Sequence, residues 1–84
     1  MNGYPRHPDH ELARRNLEDL VRNSRLPMTA EELMPWAYKI GGGDPWEGFK
    51  QIKTGPARRE LDTADDPRAV LLSRLKKCAA GQDA

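Results

Sequence analysis

His7, Asp9, His10 and Glu11 form the densest group of potential metal ligands in this 84-residue chain. Two imidazoles three residues apart can share one face of a helix, and the carboxylates beside them would add oxygen ligands. His7 precedes Pro8, however, and so lies ahead of any helix. The chain has only two histidines and one cysteine, too few to complete a usual zinc set. The segment reads as a helix-capping stretch with solvent-facing histidines. No metal and no cofactor is expected.

Nucleophilic chemistry fares no better. Cys78 follows Lys76 and Lys77, whose charge favours a thiolate, but a position late in a helix opposes one. Ser24 and Ser73 have no histidine base in prospect, since both histidines belong to the N-terminal lead. No pair of carboxylates stands apart from the general scatter of surface charge. The expectation is a protein that is not an enzyme and has no catalytic residues.

Gly41-Gly42-Gly43 stands just before a helix start, where free N–H groups attract phosphate. No GxxxxGK[ST] or GxGxxG spacing accompanies it, no strand precedes it, and Asp44 and Glu47 bring negative charge to the same place. An interhelical turn is the better reading.

Lys50, Lys53, Arg58 and Arg59 make the one cation-rich stretch. With the segment before them, residues 30–59 resemble the outline of a helix-turn-helix, and Gln51 would be placed to read a base edge. Two features oppose nucleic-acid binding. The first turn of the supposed recognition helix is acidic, and Pro35 distorts the supporting one. The overall balance of 14 Lys and Arg against 13 Asp and Glu, net +1, also lacks the basic excess that phosphate neutralisation requires.

The aromatic residues are the remaining signal. Trp36, Tyr38, Trp46 and Phe49 are crowded into one short stretch. Trp36 and Phe49 are expected in the core. Tyr38, opposite Trp36 on its helix, and Trp46, beside the glycine turn, are expected at the surface. Exposed Trp, Tyr and Arg are the residues most often found at interface hot spots.

The elements that position these residues are helical. Asp9 is a suitable N-cap for a helix with Leu12, Ala13, Leu17, Leu20, Val21 and Ser24 on one face, and Pro27 forbids its continuation. Glu11–Arg15 and Glu18–Arg22 have i,i+4 spacing for ion pairs on the other face. Thr29 to Glu32 has the spacing of a capping box, with Met28 and Leu33 placed as a hydrophobic staple. That helix should run toward Ile40 with Leu33, Trp36, Ala37 and Ile40 on its apolar face. Pro35 is expected to kink or break it, and Gly41 to follow it as C′.

Asp44-Pro45 opens a third helix, with Trp46, Phe49 and Ile52 on an apolar edge, and Gly55-Pro56 stops it. A turn or two of helix is expected between Pro56 and Leu61. Asp66-Pro67 opens the last helix, with Val70, Leu71, Leu72, Leu75, Cys78 and Ala79 as its stripe and Gly81 as its end. No period-2 alternation suggests a strand.

The chain therefore reads as all-α, a small single-domain bundle of three to five short helices with one longer N-terminal helix. Residues 1–8 are expected to be a flexible lead in which Tyr4 can dock on the body, 9–81 the helical domain and 82–84 a tail. A chain of this length buries only about 60–65% of its unfolded surface, so a partner or a second copy would add useful stability. One cysteine precludes an internal disulfide, and no apolar run reaches the length of a membrane span, which points to a reducing, cytoplasmic setting.

The function expected on these grounds is that of a small non-enzymatic adaptor, inhibitor or regulator of a larger protein complex. An inhibitor encoded by a phage or mobile element fits the description. The contact residues would be Tyr38, Trp46, Lys50, Lys53, Arg58 and Arg59. Nucleic-acid binding through residues 30–59 is the alternative, and homodimerisation through the stripe on residues 12–24 a third. No membrane partner is expected.

Overall fold

The computed structural model describes residues 7–57 and 65–81. Over these the chain is all-α, with four helices: α1 (His10–Ser24), α2 (Ala30–Ile40), α3 (Pro45–Thr54) and α4 (Pro67–Gly81). The expected bundle is present, but α4 is as long as α1, at 15 residues each. α2 is the hub, packed against each of the other three helices, and α1 also rests on α3.

The starts of α2, α3 and α4 follow from local side-chain chemistry. Glu32 N–H donates to Thr29 Oγ1 at 3.1 Å and Thr29 N–H donates to Glu32 Oε1 at 3.0 Å, closing the capping box. Asp44 accepts from the N–H groups of Trp46 and Glu47 at 3.0 and 3.3 Å, with Pro45 at the first helical position. Asp66 accepts from Ala69 N–H at 3.2 Å. Asp9 occupies the N-cap position of α1 but makes no side-chain cap. Instead its own N–H donates to His7 Nδ1 at 3.0 Å, and His10 N–H donates to the His7 carbonyl at 2.9 Å.

Three further departures have local causes. Glu18 pairs with Arg14 at 2.6 Å rather than with Arg22, which turns to Asp19 at 3.5 Å. Arg14 also reaches Glu11 at 3.0 Å, so one guanidinium bridges two acids. α2 runs unbroken through Pro35. Both Pro35 and Glu31, whose carbonyl loses its partner, are exposed, so water can satisfy that carbonyl. α1 ends with Arg25 in the left-handed region at φ 51°, where Leu26 N–H donates to the Val21 carbonyl at 3.1 Å. That bond draws Leu26 into the core, at 8% exposure.

The α2–α3 turn is specified atom by atom. Gly42, at φ 64°, takes the C′ role one residue later than the sequence suggests. Gly43 N–H donates to the Tyr38 carbonyl at 2.8 Å and Gly42 N–H to the Lys39 carbonyl at 3.3 Å. This is the two-bond Schellman pattern. The turn is hydrogen-bonded, not slack.

The core is wholly apolar among the described residues. Leu17, Leu33, Ile40, Ile52, Leu71 and Leu75 are its largest fully buried side chains, with Ala13 and Ala37 between them. α2 crosses α3 where Ala37 faces Gly48. A Cβ on Gly48 would lie 1.8 Å from the Ala37 carbonyl oxygen and 2.6 Å from its Cα, so the two backbones touch there. The turn of helix expected over Pro56–Leu61 falls mostly outside the described residues. Pro56 and Ala57 are buried in a turn closed by Ala57 N–H donating to the Ile52 carbonyl at 2.9 Å.

α4 is fastened to α2 at its N-terminal end. The Arg68 guanidinium grips both carboxylate oxygens of Glu32 and also donates to the Pro27 carbonyl at 3.4 Å. The hydrogen bond from Arg68, and after it the one from Thr29 N–H, hold the Glu32 carboxyl at about 2, well below its ordinary 4.5. A lowered carboxyl stabilises the fold above its unfolded pKa and loses that contribution as pH falls through the folded one. Glu32→Gln keeps the capping-box geometry and removes the charge. In urea titrations the variant should be slightly less stable than wild type at neutral pH. The two should converge between pH 4.5 and about 2.

Candidate functional site: an aromatic and cationic surface on α2 and α3

Tyr38 lies on the side of α2 that meets the start of α1. Its hydroxyl shares a 2.8 Å hydrogen bond with His10 Nδ1, and the two rings stand 5.8 Å apart. Tyr38 is thus half-buried in the α1–α2 joint, less open than its position opposite Trp36 suggested.

Trp46 is half-buried at the start of α3, its ring stacked on Phe49 at 5.1 Å and 28°. Phe49 is itself in the core at 6% exposure, so Trp46 is a supported platform and not a loose side chain. Lys50 and Lys53 are exposed on the outer face of α3. Lys50 is paired with Glu47 at 2.6 Å, which partly neutralises the basic character read from the sequence. Arg58 and Arg59 lie outside the described residues. Trp46, Lys50 and Lys53 therefore share one helix, while Tyr38 belongs to the α1–α2 joint.

Sequence reasoning missed a second grouping. Trp36, expected in the core, is only half-buried. Lys39 Nζ lies 5.5 Å from the centroid of its ring, a cation–π contact one helical turn along α2. Across from them, Lys76, Ala79 and Ala80 of α4 complete a groove of about 350 Å³. The i,i+3 spacing of Trp36 and Lys39 was a visible signal. The Ala79-Ala80 pair, too small to fill the space opposite a tryptophan, was the other.

The groups weighed for chemistry are accounted for locally. His7, Asp9 and Asp44 bring potential ligand atoms within 4.8 Å of one another, a set drawn from the segments just ahead of α1 and α3 that was not foreseen. His7 Nδ1 already accepts from Asp9 N–H, which leaves the proton of the neutral ring on Nε2, and Asp44 Oδ1 caps α3. His10 is turned away toward Tyr38. Cys78 is half-buried, and burial pushes its thiol pKa up, away from the reactive thiolate. The α1 stripe serves the chain itself. Ala13 and Leu17 are fully buried and Leu20 and Val21 packed against the core, while Leu12 is 47% exposed.

No protein-family model, no curated protein and no solved structure matches this chain. Among the described residues, no helix is long and apolar enough to cross a membrane.

Tyr38→Phe tests the α1–α2 joint. It keeps the ring contact and deletes the hydroxyl, leaving a half-buried imidazole nitrogen without its partner. Chemical denaturation should show a loss of about 0.5–1.5 kcal/mol, the usual cost of one such hydrogen bond.

Proposed function

We propose that this chain is a small non-enzymatic interaction protein, an adaptor or inhibitor that docks on a larger protein assembly through the outer face of α3. The observation that carries this reading is the placement of Trp46. A chain this small is short of large apolar side chains, yet it holds both tryptophans half-exposed and fills its centre with leucine and isoleucine. Trp46 rests on core-anchored Phe49, so its orientation is set before any partner arrives. A rigid aromatic costs little entropy to bind and can dominate an interface.

Lys50 and Lys53 flank that platform as the polar rim, with Arg58 and Arg59 next in sequence. Tyr38 is held separately, in the α1–α2 joint, by its hydrogen bond with His10. The single cysteine, which cannot form a disulfide within the chain, suits action in the cytoplasm.

The Glu47–Lys50 pair weighs against the nucleic-acid alternative, since it places a carboxylate beside one of the cations that would face phosphate. Capture of the partner from host extract, with nuclease treatment as the control, supplies the complex to be measured. Trp46→Ala should then weaken it by about 2 kcal/mol or more, roughly thirty-fold, with a shallow dependence on salt. If Trp46→Ala has little effect, and glutamate at Lys50, Lys53, Arg58 and Arg59 abolishes a steeply salt-dependent interaction, nucleic acid is the partner.

A further inference from the structure

The groove between α2 and α4 has a chemistry of its own. Its walls are the Trp36 ring and the methyl groups of Ala79 and Ala80, and its rim carries Lys39 and Lys76. Both lysines are exposed. Lys39 is held over Trp36, and neither lysine makes an ion pair among the described residues. Among the described residues, no acidic side chain lines the groove. Both helices end nearby, and each C-terminus contributes about half a negative charge. Lys39, Lys76 and the adjacent exposed Lys77 outweigh these together.

An apolar trough with a cationic rim selects an occupant that is apolar on one side and anionic on the other. Its volume of about 350 Å³ is near the lower end of the ~300–1,000 Å³ typical of ligand sites, so it suits a side chain or two of a short segment. The Lys39 ammonium covers a face of the Trp36 ring where a nucleobase would stack, which favours a peptide over a single-stranded nucleic acid. We infer that the α2–α4 groove is a second docking site, which takes a short acidic peptide segment. An aliphatic side chain of the segment lies against Trp36, Ala79 and Ala80, and its carboxylates lie between Lys39 and Lys76.

The inference shares with the proposed function only the premise that the chain binds protein. It concerns a groove that none of the α3 residues lines, and each tryptophan reports on one surface. The two indole N–H signals of the ¹⁵N-labelled full chain therefore separate the outcomes. The probe is a blocked peptide of alternating glutamate and leucine pairs. Its comparators are the same peptide with lysine in place of glutamate, and an oligouridine.

The Trp36 indole and the amides of Lys39, Lys76, Ala79 and Ala80 should shift saturably with the acidic peptide while the Trp46 indole stays in place. Lys39→Glu with Lys76→Glu, both at exposed positions, should weaken the effect at least tenfold, with circular dichroism confirming the fold. The lysine peptide should produce no shift. The inference is overturned if millimolar acidic peptide leaves the Trp36 signal unmoved, or if oligouridine moves it at lower concentration. A response confined to Trp46 also overturns it, and leaves the proposed function of α3 standing.

Discussion

Everything in this fold depends on how closely α2 and α3 can approach, and that is set by a missing side chain. At the crossing, Gly48 presents bare backbone to the Ala37 carbonyl, and any Cβ would meet that carbonyl group at less than 2.5 Å. Gly41 is bound by the same geometry, since a Cβ there would fall 1.9 Å from the Asp44 carbonyl oxygen. A glycine inside a short helix sacrifices about 1 kcal/mol of helix propensity relative to alanine. The cost is offset because close approach lets Leu33, Ile40, Phe49 and Ile52 enclose one another in a chain too small for a thicker core.

The positions of the tryptophans follow from that tight crossing. With α2 and α3 almost in backbone contact, no room remains between them for an indole. Trp46 is displaced to the start of α3, where it stacks on Phe49, and Trp36 to the edge of α2, where it faces α4. α4 is held to α2 through the Glu32–Arg68 grip at one end and through Leu71, Leu75 and Ala79 along its length. Toward its other end the side chains shrink to alanine and the groove opens. The two surfaces proposed for binding are thus products of how the core is packed.

What could be read from the sequence was what is settled within a few residues. The starts of α2, α3 and α4 were legible because a Thr or Asp at the cap acts on N–H groups two or three positions away. The burial of Leu17, Leu33, Phe49, Ile52, Leu71 and Leu75 followed from helical spacing. The role of Gly48 was not legible, because a glycine inside a helix gives no sign of which helix will cross over it. Trp36 was misplaced for a related reason. Its helix face was right, but α4 reaches it with alanines rather than with large side chains. Pro35 was expected to interrupt α2, whereas the exposure of Glu31 lets the helix continue. The basic stretch read from Lys50, Lys53, Arg58 and Arg59 is tempered by Glu47, one turn from Lys50. Its two arginines fall outside the described residues.

The stability of Gly48→Ala, measured by urea denaturation of the full chain, tests this dependence most directly. On helix propensity alone the substitution should stabilise by about 1 kcal/mol. Close contact with Ala37 predicts the opposite sign: a net loss of about 1–3 kcal/mol as the α2–α3 crossing is forced apart. The emission of Trp46 should also change as its seat on Phe49 shifts. A Gly48→Ala protein as stable as the wild type, or more so, would show that the helices do not meet backbone to backbone, and the account of the fold built on that contact would be wrong.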